Sequence, residues 1–162
     1  MDPKQQVYNQ LAALKIPYEV LDHPPVHTIE DMEELGIMEH GEVCKNLFLR
    51  DAKGTRHFLV VLEGSKQADL KLLREEIGCT RLSFASEDRL KKHLNLTPGA
   101  VTPFAVINDP QCDVEVVFDR DLLNKSRLGF HPNENTATVW VSFQDVQRYV
   151  KHNGNSMIYV KV

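Results

Sequence analysis

The order of elements predicts an α+β fold: a mixed, largely antiparallel β-sheet with helices packed on it. Three observations carry this. Two apolar runs, 43–50 and 57–62, flank the turn Asp51-Ala52-Lys53-Gly54 and read as a β-hairpin. Stripes at helical spacing, such as Val7, Leu11 and Leu14, occur singly between strand-like runs. The regular βαβ spacing of the competing class, a doubly wound sheet, is missing. The 162 residues suit one domain, 1–162, with no internal repeat, low-complexity tract or linker.

Each element has its own signal. Residues 4–15 form a first helix, and after Pro17 a short strand covers Tyr18 to Leu21. The prolines of His23-Pro24-Pro25-Val26-His27 forbid a helix there. Thr28 is an N-cap with Asp31 in capping-box position, and Gly36 stops that helix. After the hairpin, residues 67–77 place Leu70, Leu73 and Ile77 on one stripe ended by Gly78. A short strand at 81–84 precedes a helix capped by Ser86, which runs to Leu94 with Glu87 and Asp88 in its first turn. The loop Thr97 to Pro103 leads into an expected strand, Phe104 to Ile107, and a turn with Asp109 and Asp113 returns the chain to a strand at 114–118. Gly129-Phe130-His131-Pro132-Asn133 is read as a loop before a strand at 136–141. A helix over 143–152, stopped by Gly154, and a strand at 158–160 complete the chain.

The composition is that of a globular protein, 42% hydrophobic and 26% charged. No apolar run approaches the roughly 18 residues a membrane helix needs. The polar N-terminus shows no secretory signal. Cys44, Cys79 and Cys112 are widely spaced and odd in number, so neither zinc nor a disulfide framework is expected, and a cytoplasmic location fits. His23 and His27 are four apart, but the prolines between them break helical alignment, and no metal or cofactor is expected. The net charge of −4 argues against a protein that coats nucleic acid, though not against one that grips a nucleic-acid end. A basic cluster (Lys66, Lys71, Arg74, Arg81, Arg89, Lys91, Lys92, His93) reads first as solvated helix faces.

Lys45 is the unusual residue. On a strand it shares a face with Val43, Leu47 and Leu49. Either it snorkels to water from the strand start, or it faces a cleft and meets an anion. The segment alone favours the ordinary first reading. The chain lacks a Gly-rich phosphate loop, a Gly-x-Ser-x-Gly elbow and a His-Glu-x-x-His motif. Three features remain: Lys45-Asn46, the loop Gly99-Ala100-Val101-Thr102-Pro103, and Gly129-Phe130-His131-Pro132. A stiff loop with a glycine can aim backbone N–H groups at an oxyanion. By itself His131 reads equally well as a packed turn histidine.

In this order, with Leu47-Phe48-Leu49, Phe104, Ile107, Asn108 and Asn135 to Thr138 around them, these segments resemble the freestanding prolyl-tRNA editing domains (the YbaK/ProX-like family), relatives of the editing insertion of bacterial prolyl-tRNA synthetases. The resemblance covers nearly the whole chain and is strongest to the branch acting on alanyl-tRNA(Pro). It implies hydrolysis of the mischarged ester without a protein nucleophile. Lys45, Gly99 and His131 would be the catalytic set: Lys45 on the terminal adenosine, the Gly99 loop on the aminoacyl group, His131 in the amino-acid pocket. Asn46, Leu47, Ala100, Val101, Thr102, Pro103, Gly129 and Phe130 would bind substrate, with Leu47, Val101 and Phe130 limiting its size. Water, oriented with help from a ribose hydroxyl, would attack. The implied partners are the acceptor end of tRNA(Pro) and prolyl-tRNA synthetase; an acidic protein that grips only this end needs few phosphate contacts, some of which the basic residues from Lys66 to Lys92 could supply. A deacylase for cysteinyl-tRNA(Pro) or another mischarged tRNA, and a noncatalytic tRNA- or synthetase-binding module, are the alternatives.

Overall fold

A computed structural model describes residues 2–162. Eight strands form one sheet: β1 (Glu19–Asp22), β2 (Glu42–Arg50), β3 (His57–Glu63), β4 (Ser83–Phe84), β5 (Val114–Asp119), β6 (Leu128–Phe130), β7 (Ala137–Val141) and β8 (Met157–Val160). Their order is β1-β7-β6-β2-β3-β5-β8, with β4 also on β2. The β2–β3, β2–β4, β1–β7 and β6–β7 pairs are antiparallel, whereas β2–β6, β3–β5 and β5–β8 are parallel. Among the described residues five helices pack around it: α1 (Pro3–Ala13), α2 (Ile29–Glu34), α3 (Leu70–Ile77), α4 (Glu87–Leu94) and α5 (Phe143–Asn153). The α+β class and the hairpin expected from the sequence are both present.

The central strands are covered on both faces, so β3 is apolar throughout rather than alternating. Leu59 and Val61 join Val116 and Phe118 of β5 in a core shared with α1, α4 and α5. Phe58, Val60 and Leu62 face the other way, onto Leu73 of α3, Leu49 and Val117. A smaller cluster of Val26, Met32, Ile37, Val43 and Trp140 seats α2 against the end of β2.

Three expectations are corrected. The expected strand at 104–107 is a 3-10 turn, Pro103–Asn108. Pro103 pre-sets the first helical φ, and the Thr102 hydroxyl accepts from Phe104 N–H as its cap. The run is apolar because the turn is buried: Tyr149 Oη of α5 donates to the Phe104 carbonyl at 2.9 Å. A short apolar run does not separate strand from buried helix by periodicity. Gly129 and Phe130, read as loop, belong to strand β6. Gly129 lies opposite Trp140 of β7, and a Cβ there would stand 2.7 Å from the indole and 2.9 Å from Thr138 Cγ2. Gly129 is thus a seat for Trp140. The α3 helix also starts later than expected, at Leu70, where the Asp69 carboxylate accepts from Leu72 N–H.

Part of the basic cluster is already committed within the fold. The Lys66 ammonium pairs with Asp119 and Asp121 and donates to the Val162 carbonyl. Arg89 holds the Gly54 carbonyl and lies 2.9 Å from the buried His57 ring. Burial, with His93 and Arg89 beside it, pulls the His57 pKa down to about 4. Lys66 and Arg89 are therefore fold anchors, occupied before any phosphate arrives.

Gly129→Ala is expected to force the Trp140 ring aside and destabilise the protein by about 1–3 kcal/mol. Thermal unfolding measures this; an unchanged midpoint would remove the role assigned to Gly129.

Candidate active site

The site arises from a gap in the sheet. One edge of β2 is paired with β3 from Cys44 to Arg50. Its other edge pairs with β6 only at Glu42 and Val43, and with β4 only at Leu49 and Arg50. Between them β2 has no strand neighbour on that side. The Phe48 carbonyl accepts from Ala85 N–H at 3.0 Å, which identifies this edge. Backbone alternation then turns the N–H and C=O of Cys44 and Asn46 to the same open side.

A cleft of about 290 Å³ fills the gap, lined by His27, Thr28, Ile29, Met32, Cys44, Lys45, Asn46, Leu47, Pro98, Gly99, Val101 and His131. Six of the expected site residues meet here: Lys45, Asn46, Leu47, Gly99, Val101 and His131. The other five stand behind the wall. Ala100, Thr102 and Pro103 are buried in the two 3-10 turns that shape the loop. Phe130 is 2% exposed and packs edge-on against Phe104, so it does not limit the size of anything in the cleft, and Gly129 seats Trp140.

Lys45 is half-buried. Its ammonium donates to the Lys66 carbonyl, and among the described residues it has no carboxylate partner. No acidic residue lines the cleft. Two ammonium hydrogens therefore remain for a ligand. Asn46 Nδ2 makes one long contact, 3.4 Å, to the Cys44 carbonyl, and its Oδ1 is buried without a partner. An orphaned acceptor of this kind costs about 1–3 kcal/mol, which a donor on a bound molecule would recover.

His131 is oriented by its backbone. Nδ1 lies 2.9 Å from the Ala137 carbonyl, so Nδ1 carries the proton and Nε2 is the acceptor. Burial, with His23 6.1 Å away ring to ring, holds its pKa below the ordinary value against the opposing pull of that hydrogen bond. His23 is itself fixed between the Pro24 carbonyl and the Thr138 hydroxyl.

Gly99 permits a close approach of its turn to His27. A Cβ there would lie 2.9 Å from His27 Nδ1 and 3.2 Å from Asn135 Nδ2. Ala100 N–H makes the first bond of the turn, to Thr97 O, so the turn offers Gly99 N–H no acceptor of its own.

The cleft holds no activated nucleophile. Burial pushes the Cys44 thiol far above its ordinary pKa, so no thiolate is available. The Thr28 hydroxyl caps α2, accepting from Asp31 N–H, while the Asp31 carboxylate accepts from His27 N–H. This is one residue off the expected capping box. The cleft can bind an anion or a nucleoside and present backbone donors to a carbonyl. Covalent attack by a side chain is not among its options.

Sequence reasoning missed the α2 wall, His27, Thr28, Ile29 and Met32. The i, i+3 pair Ile29 and Met32 was the available signal, an apolar stripe on one face of a short helix.

Residues 23–149 match the aminoacyl-tRNA editing domain family. The chain is 53% identical over 156 residues to the prolyl-tRNA editing protein ProX of Acetoanaerobium sticklandii, covering 96% of this chain and 95% of that one. It is 36% identical over 155 residues to the prolyl-tRNA synthetase associated domain-containing protein 1 of Bos taurus, covering 92% and 89%. A crystal structure described as a candidate trans-editing enzyme for prolyl-tRNA synthetase superposes with a TM-score of 0.75 at 19% identity, covering 100% and 98%, and so shares the fold. The chain belongs to the aminoacyl-tRNA editing domain family. It is an enzyme of that class, an aminoacyl-tRNA deacylase, and its macromolecular partner is tRNA. No helix among the described residues is long and apolar enough to cross a membrane.

Gly99→Ala is expected to displace the His27 ring and lower kcat/KM for aminoacyl-tRNA hydrolysis roughly 10–100-fold, with little change in thermal unfolding. Wild-type turnover by this variant would show that the tight packing at Gly99 has no part in the reaction.

Proposed function

We propose that this deacylase acts in trans on tRNA(Pro) mischarged with alanine, releasing free alanine and tRNA(Pro). One observation carries the reading: a half-buried lysine without a carboxylate partner lies in a cleft that has no nucleophile of its own. Such a cleft can hold an activated ester and leave the attack to water. The similarity to a prolyl-tRNA editing protein over 96% of the chain supports proline as the tRNA identity.

In this mechanism Lys45 binds the terminal adenosine of the tRNA. Asn46 Oδ1 takes a donor from the substrate. The aminoacyl group lies between the Gly99 turn and His131, its size limited by Leu47, Val101, Ile29 and Met32. Water, oriented by a ribose hydroxyl of the substrate, attacks the ester carbonyl carbon. The carbonyl oxygen takes up negative charge, which the Gly99 N–H stabilises. The bond from acyl carbon to ribose oxygen breaks, the ribose oxygen takes up the proton that the attacking water gives up, and alanine leaves. An ester held in this way needs positioning more than acid–base catalysis. Prolyl-tRNA synthetase is a docking partner consistent with the reading.

The need is physical. A synthetase pocket built for proline admits the smaller alanine, because each methylene is worth only about 1–3 kcal/mol. A second, tighter cleft that excludes proline supplies the missing discrimination.

Deacylation of alanyl-, cysteinyl- and prolyl-tRNA(Pro) tests this. The wild type is expected to hydrolyse the alanyl ester and to spare the prolyl ester by roughly 10–200-fold. Lys45→Ala is expected to lower kcat/KM for the alanyl ester by roughly 10–150-fold, the loss of a charge-assisted contact. Preferential hydrolysis of the cysteinyl ester would replace alanine as the substrate. An unimpaired Lys45→Ala would remove the role of Lys45.

A further inference from the structure

A second groove, of about 300 Å³, adjoins the cleft and shares Asn46, Leu47, Pro98 and Val101 with it. Its remaining lining is Phe48, Phe84, Ala85, Glu87 and Leu90. Phe84 is 61% exposed, more than any other large hydrophobic residue among those described. Its backbone is nonetheless held in place. It pairs with Leu49 across β4–β2, and the next residue, Ala85, donates to the Phe48 carbonyl. An aromatic ring left in solvent on a held strand, beside an apolar groove, offers a stacking surface. Glu87 is the charged residue of the groove and makes no ion pair among the described residues.

We propose that this groove binds the nucleobase preceding the terminal adenosine of the tRNA, stacked on Phe84. The inference rests on the deacylase reading above and extends it by one nucleotide. An adenosine seated at Lys45 leaves the single strand to exit the cleft, and the ridge of Asn46, Leu47, Pro98 and Val101 leads directly into the groove. The charge of Glu87 fixes the orientation. A carboxylate repels a phosphate but accepts a hydrogen bond from an exocyclic amino group, as cytosine carries. The base therefore points inward and the phosphates run along the solvent side. The CCA end common to tRNAs presents a cytosine at this position. Recognition through one stacked base also fits a protein of net charge −4, because it adds affinity without further phosphate contacts.

The test is a double-mutant cycle between protein and substrate. Alanyl-tRNA(Pro) with an intact CCA end is compared with the same tRNA abasic at the nucleotide before the terminal adenosine, using wild type, Phe84→Ala and Phe84→Tyr. Base removal is expected to raise the wild-type KM roughly 5–100-fold, the range of base–aromatic stacking. Phe84→Ala is expected to raise KM by a similar factor on the intact tRNA and to gain no further penalty on the abasic one. Phe84→Tyr, which keeps a stacking ring, is expected to retain the wild-type KM. Equal penalties for base removal in wild type and Phe84→Ala, or an unchanged KM in Phe84→Ala, would overturn the subsite while leaving the deacylase intact. A wild type that hydrolyses no aminoacyl-tRNA would overturn both.

Discussion

The interrupted pairing of β2 is the constraint on which the rest of the molecule depends. β6 holds its first two residues, β4 holds its last two, and the stretch between is left open on one side. An open edge inside a globular protein exposes unpaired backbone groups, which proteins ordinarily cover or pair. Here the covering is a cleft. The loop at Gly99, the start of α2 and the His131 turn rise around the gap without filling it. The same interruption explains why four consecutive residues, Cys44 to Leu47, reach one cleft although alternate side chains belong to opposite faces of the sheet.

The chemistry follows from what the cleft contains and what it lacks. A lysine without a carboxylate and an asparagine oxygen without a donor, beside a histidine oriented by the Ala137 carbonyl, point to a bound molecule. The thiol is protonated and the threonine is spent on a helix cap. An activated ester suits such a site, since its hydrolysis needs a positioned carbonyl and a water more than a protein nucleophile.

Much of this was legible in the sequence, for local reasons. The β2–β3 hairpin announced itself through its turn, α4 through Ser86, and α5 through its apolar stripe and Gly154. Lys45 stood out because it broke the apolar pattern of its strand, and Gly99 and His131 because their segments follow it in the order that resembles the editing domains. Misreadings arose where tertiary packing decides. Phe104 to Val106 are apolar because α5 covers them, and a strand would be equally apolar. Phe130 and Gly129 sit beside His131 in sequence, yet strand alternation and the Trp140 ring turn them into the core. Lys66 and Arg89 looked free because their partners, Asp119, Asp121 and His57, lie far away along the chain. Ile29 and Met32 were overlooked because only the gap in β2 makes that helix face a wall.

The most direct test of the account is a crystal structure with an adenosine that carries alanine through a 3′-amide, a linkage the enzyme does not cleave readily. The account predicts the nucleoside against Lys45 at the open edge of β2, with the alanyl group between the Gly99 turn and His131. Binding anywhere else, such as the groove formed by Tyr18, Arg127 and Trp140, would contradict it.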